Sequence, residues 1–275
     1  MIPAERKAEK EEEEYKMEIK VIEKKKDSLS FVLKDSTPAY ANMLRKTIVD
    51  EIPVMAIEDV EIRKNSSVLY DEILAHRLGL IPLKTDLKNY TAISECKCEG
   101  AGCAKCTVKL TLKAKGPCTV YASEMKSNDP AIKAVYETPI VKLLKNQELE
   151  FEATAVLGKG KEHVKWSSGH AYYKYKPEVE IIKNPDDAEK YANICPLGII
   201  EVKSKKLTVN KTKMDSCHLC GNCTDILPEC IKLNENNSEF IFYVESWGQL
   251  DTKQMLAKAV ELVDEQLDEL KEKLK

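Results

Sequence analysis

The chain has 275 residues, 43% of them hydrophobic and 32% charged, enough for one or two domains with a sizeable core. A net charge of −3 and a pI near 6.0 exclude the broad basic surface that nucleic-acid binding normally needs, so no direct sequence-specific DNA binding is expected. No run of about 18 apolar residues is present to span a membrane, and the start is charged rather than signal-like, so a cytoplasmic protein is expected.

Residues 1–15 are a Glu/Lys-rich tail, read as a solvated segment without assigned function. Met17 to Ile22 and Leu29, Phe31 and Leu33 then alternate with the period of half-buried strands, which predicts a hairpin turning near Lys26-Asp27. Thr37-Pro38 reads as an N-cap followed by proline at the first helical position. Ala41, Leu44 and Ile48 share one face of the predicted helix, which runs about four turns before Pro53. Val54 to Ile62 reads as a strand and Asp71 to Leu80 as a short helix. Further strands are predicted at Val108, Leu110 and Leu112, at Leu149, Phe151, Ala153 and Ala155, and at Phe240, Phe242 and Val244. Gly158-Lys159-Gly160 reads as a turn and lacks the Lys-Ser/Thr ending of a phosphate loop. Asp251 and Gln254 form a capping-box start, after which Leu256, Val260, Val263, Leu267, Leu270 and Leu274 recur at steps of four and three. That seam fits either the chain's own sheet or a partner helix.

Ten cysteines, most of them closely spaced, suit metal binding in a reducing cell better than a disulfide framework. Cys96, Cys98, Cys103 and Cys106 place four thiolates within eleven residues, the donor set of a closed structural zinc site. Thiolates alone do not separate zinc from a second iron–sulfur centre or from empty thiols. Cys217, Cys220 and Cys223 form a CxxCxxC run, and Cys195 lies 22 positions upstream in an Ile-Cys-Pro-Leu-Gly context. This is one complete ligand set for a [4Fe-4S] cluster (or [3Fe-4S]), in which two-residue spacers wrap three irons and a remote thiolate closes the fourth corner. No second set is present. Cys118 and Cys230 are left over and read as buried apolar residues.

An active site is not expected. The four histidines are His76, His163, His170 and His218. His76 sits beside Arg77 with no partner group in view, and His218 lies inside the cysteine run, where it would tune rather than react.

The strings Asn42-Met43-Leu44-Arg45-Lys46-Thr47-Ile48, Ile52-Pro53, Ala56-Ile57-Glu58-Asp59-Val60 and Asp71-Glu72-Ile73-Leu74-Ala75-His76-Arg77-Leu78-Gly79-Leu80-Ile81-Pro82-Leu83 resemble the family of the archaeal D-type subunit of DNA-directed RNA polymerase. Its relatives are the bacterial alpha subunit and the third-largest eukaryotic polymerase subunit. The resemblance runs from about Tyr15 onward and takes in the aromatic stretch Trp166 to Tyr175, the cluster region and the closing helix after Trp247. It implies an α+β fold with a discontinuous dimerisation domain of sheet and helices (residues 16–57 and 236–275). Between these parts it implies an inserted mainly-β domain with the four-cysteine loop (58–184) and a ferredoxin-like iron–sulfur subdomain (185–235).

The same resemblance implies a non-catalytic scaffold of DNA-directed RNA polymerase. It would pair with subunit L and nucleate docking of the large catalytic subunits, with subunits N and P on the same platform. The expected partner-binding residues are Leu44, Arg45, Ile48, Leu256, Val260, Val263, Leu267, Leu270 and Leu274. Some family members carry ligands for two clusters, whereas this chain retains the Cys195, Cys217, Cys220 and Cys223 set alone, and its Cys96 to Cys106 loop looks like the zinc loop of the eukaryotic relative. The competing readings are a ferredoxin-like electron-transfer protein, which would need a flavin or nucleotide fingerprint that is missing, and a zinc-dependent nucleic-acid module, which the acidic balance disfavours.

Overall fold

The computed structural model describes residues 17–275, so the charged tail expected over 1–15 lies outside the described residues. In chain order these form β1 (Glu18–Lys24), β2 (Ser28–Lys34), α1 (Pro38–Lys46), β3 (Val54–Asn65), α2 (Asp71–Gly79), β4 (Thr107–Lys115), β5 (Cys118–Tyr121), β6 (Lys126–Ser127), β7 (Pro139–Leu143) and β8 (Glu148–Gly158). They continue with β9 (Gly169–Ile181), β10 (Ile200–Lys203), β11 (Lys206–Val209), α3 (Asn222–Ile226), β12 (Ile231–Ser246) and α4 (Thr252–Lys273). The fold is mixed, with several antiparallel sheets and few helices. Two compact units are present: Ile22–Ser30, Ala39–Tyr173 and Phe242–Lys275 form one, while Phe31–Pro38 and Lys174–Ile241, with the described residues up to Val21, form the other.

One four-stranded sheet has the order β1-β2-β12-β9. In β2 Phe31, Val32 and Leu33 are all buried, but β1 at the sheet edge is exposed along its whole length, with Ile19 at 62% and Val21 at 55%. The expected half-buried alternation of β1 therefore fails, because an edge strand finds cover only where another element packs on it. The helix predicted after Pro38 also differs. Nine residues are α-helical, then Thr47–Glu51 form a π-helical turn, where Thr47 Oγ1 donates to the Met43 carbonyl at 2.9 Å. Such a turn displaces carbonyls from their usual partners. Ser168 Oγ donates to the Ile48 carbonyl at 2.7 Å and Ser167 Oγ to that of Val49 at 3.1 Å.

In the larger unit β3, β8, β4 and β6 pair antiparallel in that order. The period of β8 explains its two faces. Leu149, Phe151, Ala153 and Ala155 join a core with Met55, Ile57, Leu74, Leu78, Val108 and Leu110, while Glu148, Glu150 and Glu152 point the other way and meet lysines and an arginine of the neighbouring strands. Helix α2 buries Leu74 and Leu78 in the same core. Gly158 and Gly160, read from sequence as a turn, are sites of close approach. A Cβ at Gly158 would lie 2.4 Å from the Trp166 ring and one at Gly160 would lie 2.2 Å from the Val49 carbonyl oxygen. The short pair β5-β7 also lies in this unit, and its pattern is too brief to read from sequence.

The smaller unit has its own core of Val179, Ala188, Ile194, Ile199, Ile200, Leu207, Leu227, Cys230 and Ile231, on which the β10-β11 hairpin sits. Cys230 is buried as expected; Cys118 is exposed on β5, contrary to expectation, since its strand turns that position outward.

Candidate metal centres

The loop before β4 gathers Cys96, Cys98, Cys103 and Cys106 so that their four sulfurs all lie within 4.8 Å of one another. Cys96 and Cys103 are 3.5 Å apart, Cys98 and Cys106 3.5 Å, and Cys103 and Cys106 3.9 Å. A tetrahedral zinc with about 2.3 Å bonds to sulfur needs sulfur–sulfur edges of about 3.8 Å. The donor set therefore fits a single tetrahedral ion. The sequence bends tightly enough because Glu99, Gly100 and Gly102 adopt left-handed conformations, with φ of 52°, 86° and 75°. Backbone amides face the sulfurs: Cys103 N–H donates to Cys106 Sγ at 3.2 Å and Lys105 N–H to Cys103 Sγ at 3.4 Å. The Cys96 thiol, hydrogen-bonded to Cys98, pulls the Cys98 pKa down to about 6, whereas burial pushes Cys106 up to about 12. A metal displaces the thiol protons and needs all four donors as thiolates.

The second set is arranged differently. Cys195, Cys217, Cys220 and Cys223 line one hollow with Ile194, Pro196, Leu197, Ile199, His218 and Leu233. Among the described residues, no three of these sulfurs share the close spacing of the first set. Cys195 stands in a turn closed by Gly198 N–H to the Cys195 carbonyl at 2.9 Å, with Gly198 left-handed at φ 63°. Cys217 follows the 3-10 helix Lys211–Ser216, and Cys223 lies on α3, which begins after left-handed Gly221. Asn222 Nδ2 donates to the Ile194 carbonyl at 2.9 Å and ties the cysteine run to the Cys195 turn. Burial raises the pKa of Cys223, and the neighbouring Cys217 and Cys220 raise it further. The hollow is apolar apart from its sulfurs, His218 and Asn222, and four thiols lining one apolar hollow are donors of the kind an iron–sulfur cluster takes. Lys174 and Asn222 escaped sequence reasoning: Asn222 is a spacer of the CxxCxxC run whose bond to Ile194 the spacing does not show, and only the tertiary fold brings Lys174 to the carbonyls of Asp215 and Cys217.

The other expected site residues fall in several settings. Leu44 and Ile48 are 4% and 0% exposed, packed within this chain. Arg45 binds the Asn42 side chain on its own helix at 2.9 Å. Arg77 spans from α2 to β7, donating to the carbonyls of Ile140 and Pro139 at 3.0 and 2.8 Å. On α4 the capping box of Asp251 and Gln254 is formed, Leu256 is half-buried and Val263 is buried, while Val260, Leu267, Leu270 and Leu274 are exposed.

The fold and site define a mixed α/β protein of antiparallel sheets and few helices, with one four-cysteine loop able to bind a metal. Residues 60–171 match the RNA polymerase Rpb3/RpoA insert domain. The chain is 38% identical to DNA-directed RNA polymerase subunit Rpo3 of Methanosphaera stadtmanae, over 92% of this chain and 97% of that protein. It is 39% identical to the Rpo3 subunit of Methanosarcina acetivorans (92% and 97%) and 35% identical to that of Archaeoglobus fulgidus (92% and 96%). The chain belongs to the Rpo3 family of DNA-directed RNA polymerase subunits.

Proposed function

We propose that the chain is a non-catalytic assembly subunit of DNA-directed RNA polymerase, the observation that carries this being the near full-length identity to the Rpo3 subunits. It pairs with subunit L, offers a platform to subunits N and P, and docks the large catalytic subunits. Support for a helical partner comes from α4. Met255, Ala259 and Val263 face the chain's own core, yet every residue from Asp264 to the end is exposed, with Leu267 at 49%, Leu270 at 53% and Leu274 at 77%. Together with Val260 they make an apolar stripe that a second helix would cover.

The Cys96 to Cys106 loop holds zinc as a closed structural centre, which its single-ion spacing supports. Cys195, Cys217, Cys220 and Cys223 hold one iron–sulfur cluster, which when bound cross-links the Cys195 turn to the Cys217–Cys223 run. The protein's part is to present the thiolates in an apolar hollow, and the inserted region so braced carries the docking surface for the large subunits. The test substitutes Leu267→Asp and Leu270→Asp together, both on the exposed face. Because Val263 is buried in this chain it is left intact. Folding should be unchanged, surface changes here being worth about 0.5 kcal/mol or less each. Co-purification with subunit L from cells should be lost, and retention at normal yield would remove α4 from the interface.

A further inference from the structure

We propose that Lys174 is a positioning residue of the cysteine-lined hollow: its ammonium clamps the two carbonyls flanking Ser216, fixes the backbone that presents Cys217, and sets a positive charge against that sulfur. This rests on the reading of the four cysteines as ligands of an iron–sulfur group. Lys174, on β9, sends Nζ to the Asp215 carbonyl at 2.6 Å and to the Cys217 carbonyl at 2.8 Å, reaching across 41 and 43 residues of sequence. Both acceptors close the 3-10 helix Lys211–Ser216, where final carbonyls lack intrahelical partners and a cation is favoured.

Two short charge-assisted bonds to carbonyls two residues apart restrain the peptide units between them, and Cys217 is the residue at which the chain leaves the helix, at φ −59° and ψ 131°. Cys217 N–H is held at 2.9 Å by the Met214 carbonyl, so the backbone of this one ligand is gripped on both its amide and carbonyl sides. Beyond it the run passes through left-handed Leu219 and Gly221 before Asn222 anchors it again. The first and last thirds of the run are therefore tied to different elements, β9 and the Cys195 turn. Thiolates gathered in an apolar hollow concentrate negative charge, and the Lys174 ammonium, bonded to the carbonyl of Cys217 itself, stabilises it at a strength that water would weaken. The effect is larger for the more negative redox state of whatever the thiolates bind. Lys213, by comparison, faces Glu201 at 3.9 Å, so its charge is shared elsewhere.

The experiment uses the full chain purified anaerobically as wild type, Lys174→Met and Lys174→Arg. Iron content, iron loss to excess bathophenanthroline, and the midpoint of a dithionite titration followed by electron paramagnetic resonance are measured, with thermal unfolding as a check on the fold. Lys174→Met should release iron several-fold faster and show a more negative midpoint, and Lys174→Arg should restore both because it keeps the charge and the donors. Lys174→Met arriving without iron but with a native unfolding transition also supports the clamp. Wild-type release and midpoint in Lys174→Met would overturn the proposal. Faster release with an unchanged midpoint and no rescue by arginine would overturn it too, leaving a packing role only. If Lys174→Met fails to fold, Lys174→Gln takes its place under the same criteria. A wild-type chain with no iron would overturn the cluster reading itself, an outcome distinct from iron-bearing protein indifferent to Lys174.

Discussion

The two cysteine sets use the same side chain for different structural ends. Cys96, Cys98, Cys103 and Cys106 come from one short loop, and their sulfurs lie within 4.8 Å of one another, three of the pairs at 3.5–3.9 Å, near the edge of a tetrahedron about one ion. Cys195 and the Cys217 to Cys223 run come from segments joined through the β10-β11 hairpin, and these cysteines line one apolar hollow. The first set needs its neighbours only for backbone turns, supplied by Glu99, Gly100 and Gly102. The second needs a fold to bring its parts together, supplied by the smaller core and the Asn222 tie. Closely spaced ligands order themselves at low entropic cost, whereas remote ligands must be placed before a metal can reward them.

Breaking one thiolate in each set should give the largest contrast. Cys106 is fully buried at the start of β4, and Cys220 is exposed. Cys106→Ser should lose zinc and cost at least about 3 kcal/mol, on the scale of a lost structural metal, with a thermal midpoint lower by roughly 5–10 °C. Cys220→Ser should lose the iron chromophore while moving the midpoint less. Elemental analysis and calorimetry read both. Equal destabilisation by the two changes would remove the distinction between a loop made by its metal and a hollow made by its core.

Metal removal sharpens the same contrast at intermediate size. Exposure to air with an iron chelator should bleach the Cys195 set and leave zinc in the Cys96 set, because zinc has no redox chemistry. Far-ultraviolet circular dichroism should change little, since Ile194, Ile199, Leu207, Leu227 and Ile231 hold the smaller core without the group. Parallel loss of zinc and iron, followed by a helical and strand signal that collapses, would contradict two independent centres.

Acid should give the smallest effect. Hydrogen bonds from Lys115, Lys113 and Lys109 hold the carboxyls of Glu148, Glu150 and Glu152 below the ordinary value of 4.5. Folded pKa values below the unfolded ones mean that the stabilisation is complete above pH 4.5 and is lost as pH falls through the depressed values. In the smaller unit Glu201 is held down chiefly by Asn210, with Lys203 next. Unfolding followed from about pH 5.5 to about pH 3, roughly the range of carboxylate titration, should show a modest loss that added salt diminishes, because the pairs are solvent-exposed. A loss indifferent to salt would point away from the ladder on β8.

Much of this fold was legible in local pattern. The alternation in β4 and β8, the capping box of α4 and proline at the start of α1 all rest on periods and caps that need no distant partner. The four-cysteine loop was legible for the same reason: its donors lie within one loop. Other features were hidden. Alternation in β1 said half-buried, but exposure depends on whether another element covers an edge strand. Leu44 and Ile48 share a helical face, yet periodicity does not say whether that face meets the chain's own core or a partner. Glycines at 158 and 160 read as turn punctuation, while Trp166 and Val49, far apart in sequence, are what exclude a side chain there.

By itself the sequence determined the helix starts, the main strands, the four-cysteine loop and the family, because each depends on residue type and spacing along one stretch of chain. The tertiary structure alone decided which apolar faces are closed, that α1 runs on into a π-helical turn whose carbonyls Ser167 and Ser168 satisfy, and that Lys174 reaches the carbonyls of Asp215 and Cys217. Burial and long-range hydrogen bonds are properties of surfaces brought together by folding, and chain order carries no distance between residues 41 or 118 positions apart.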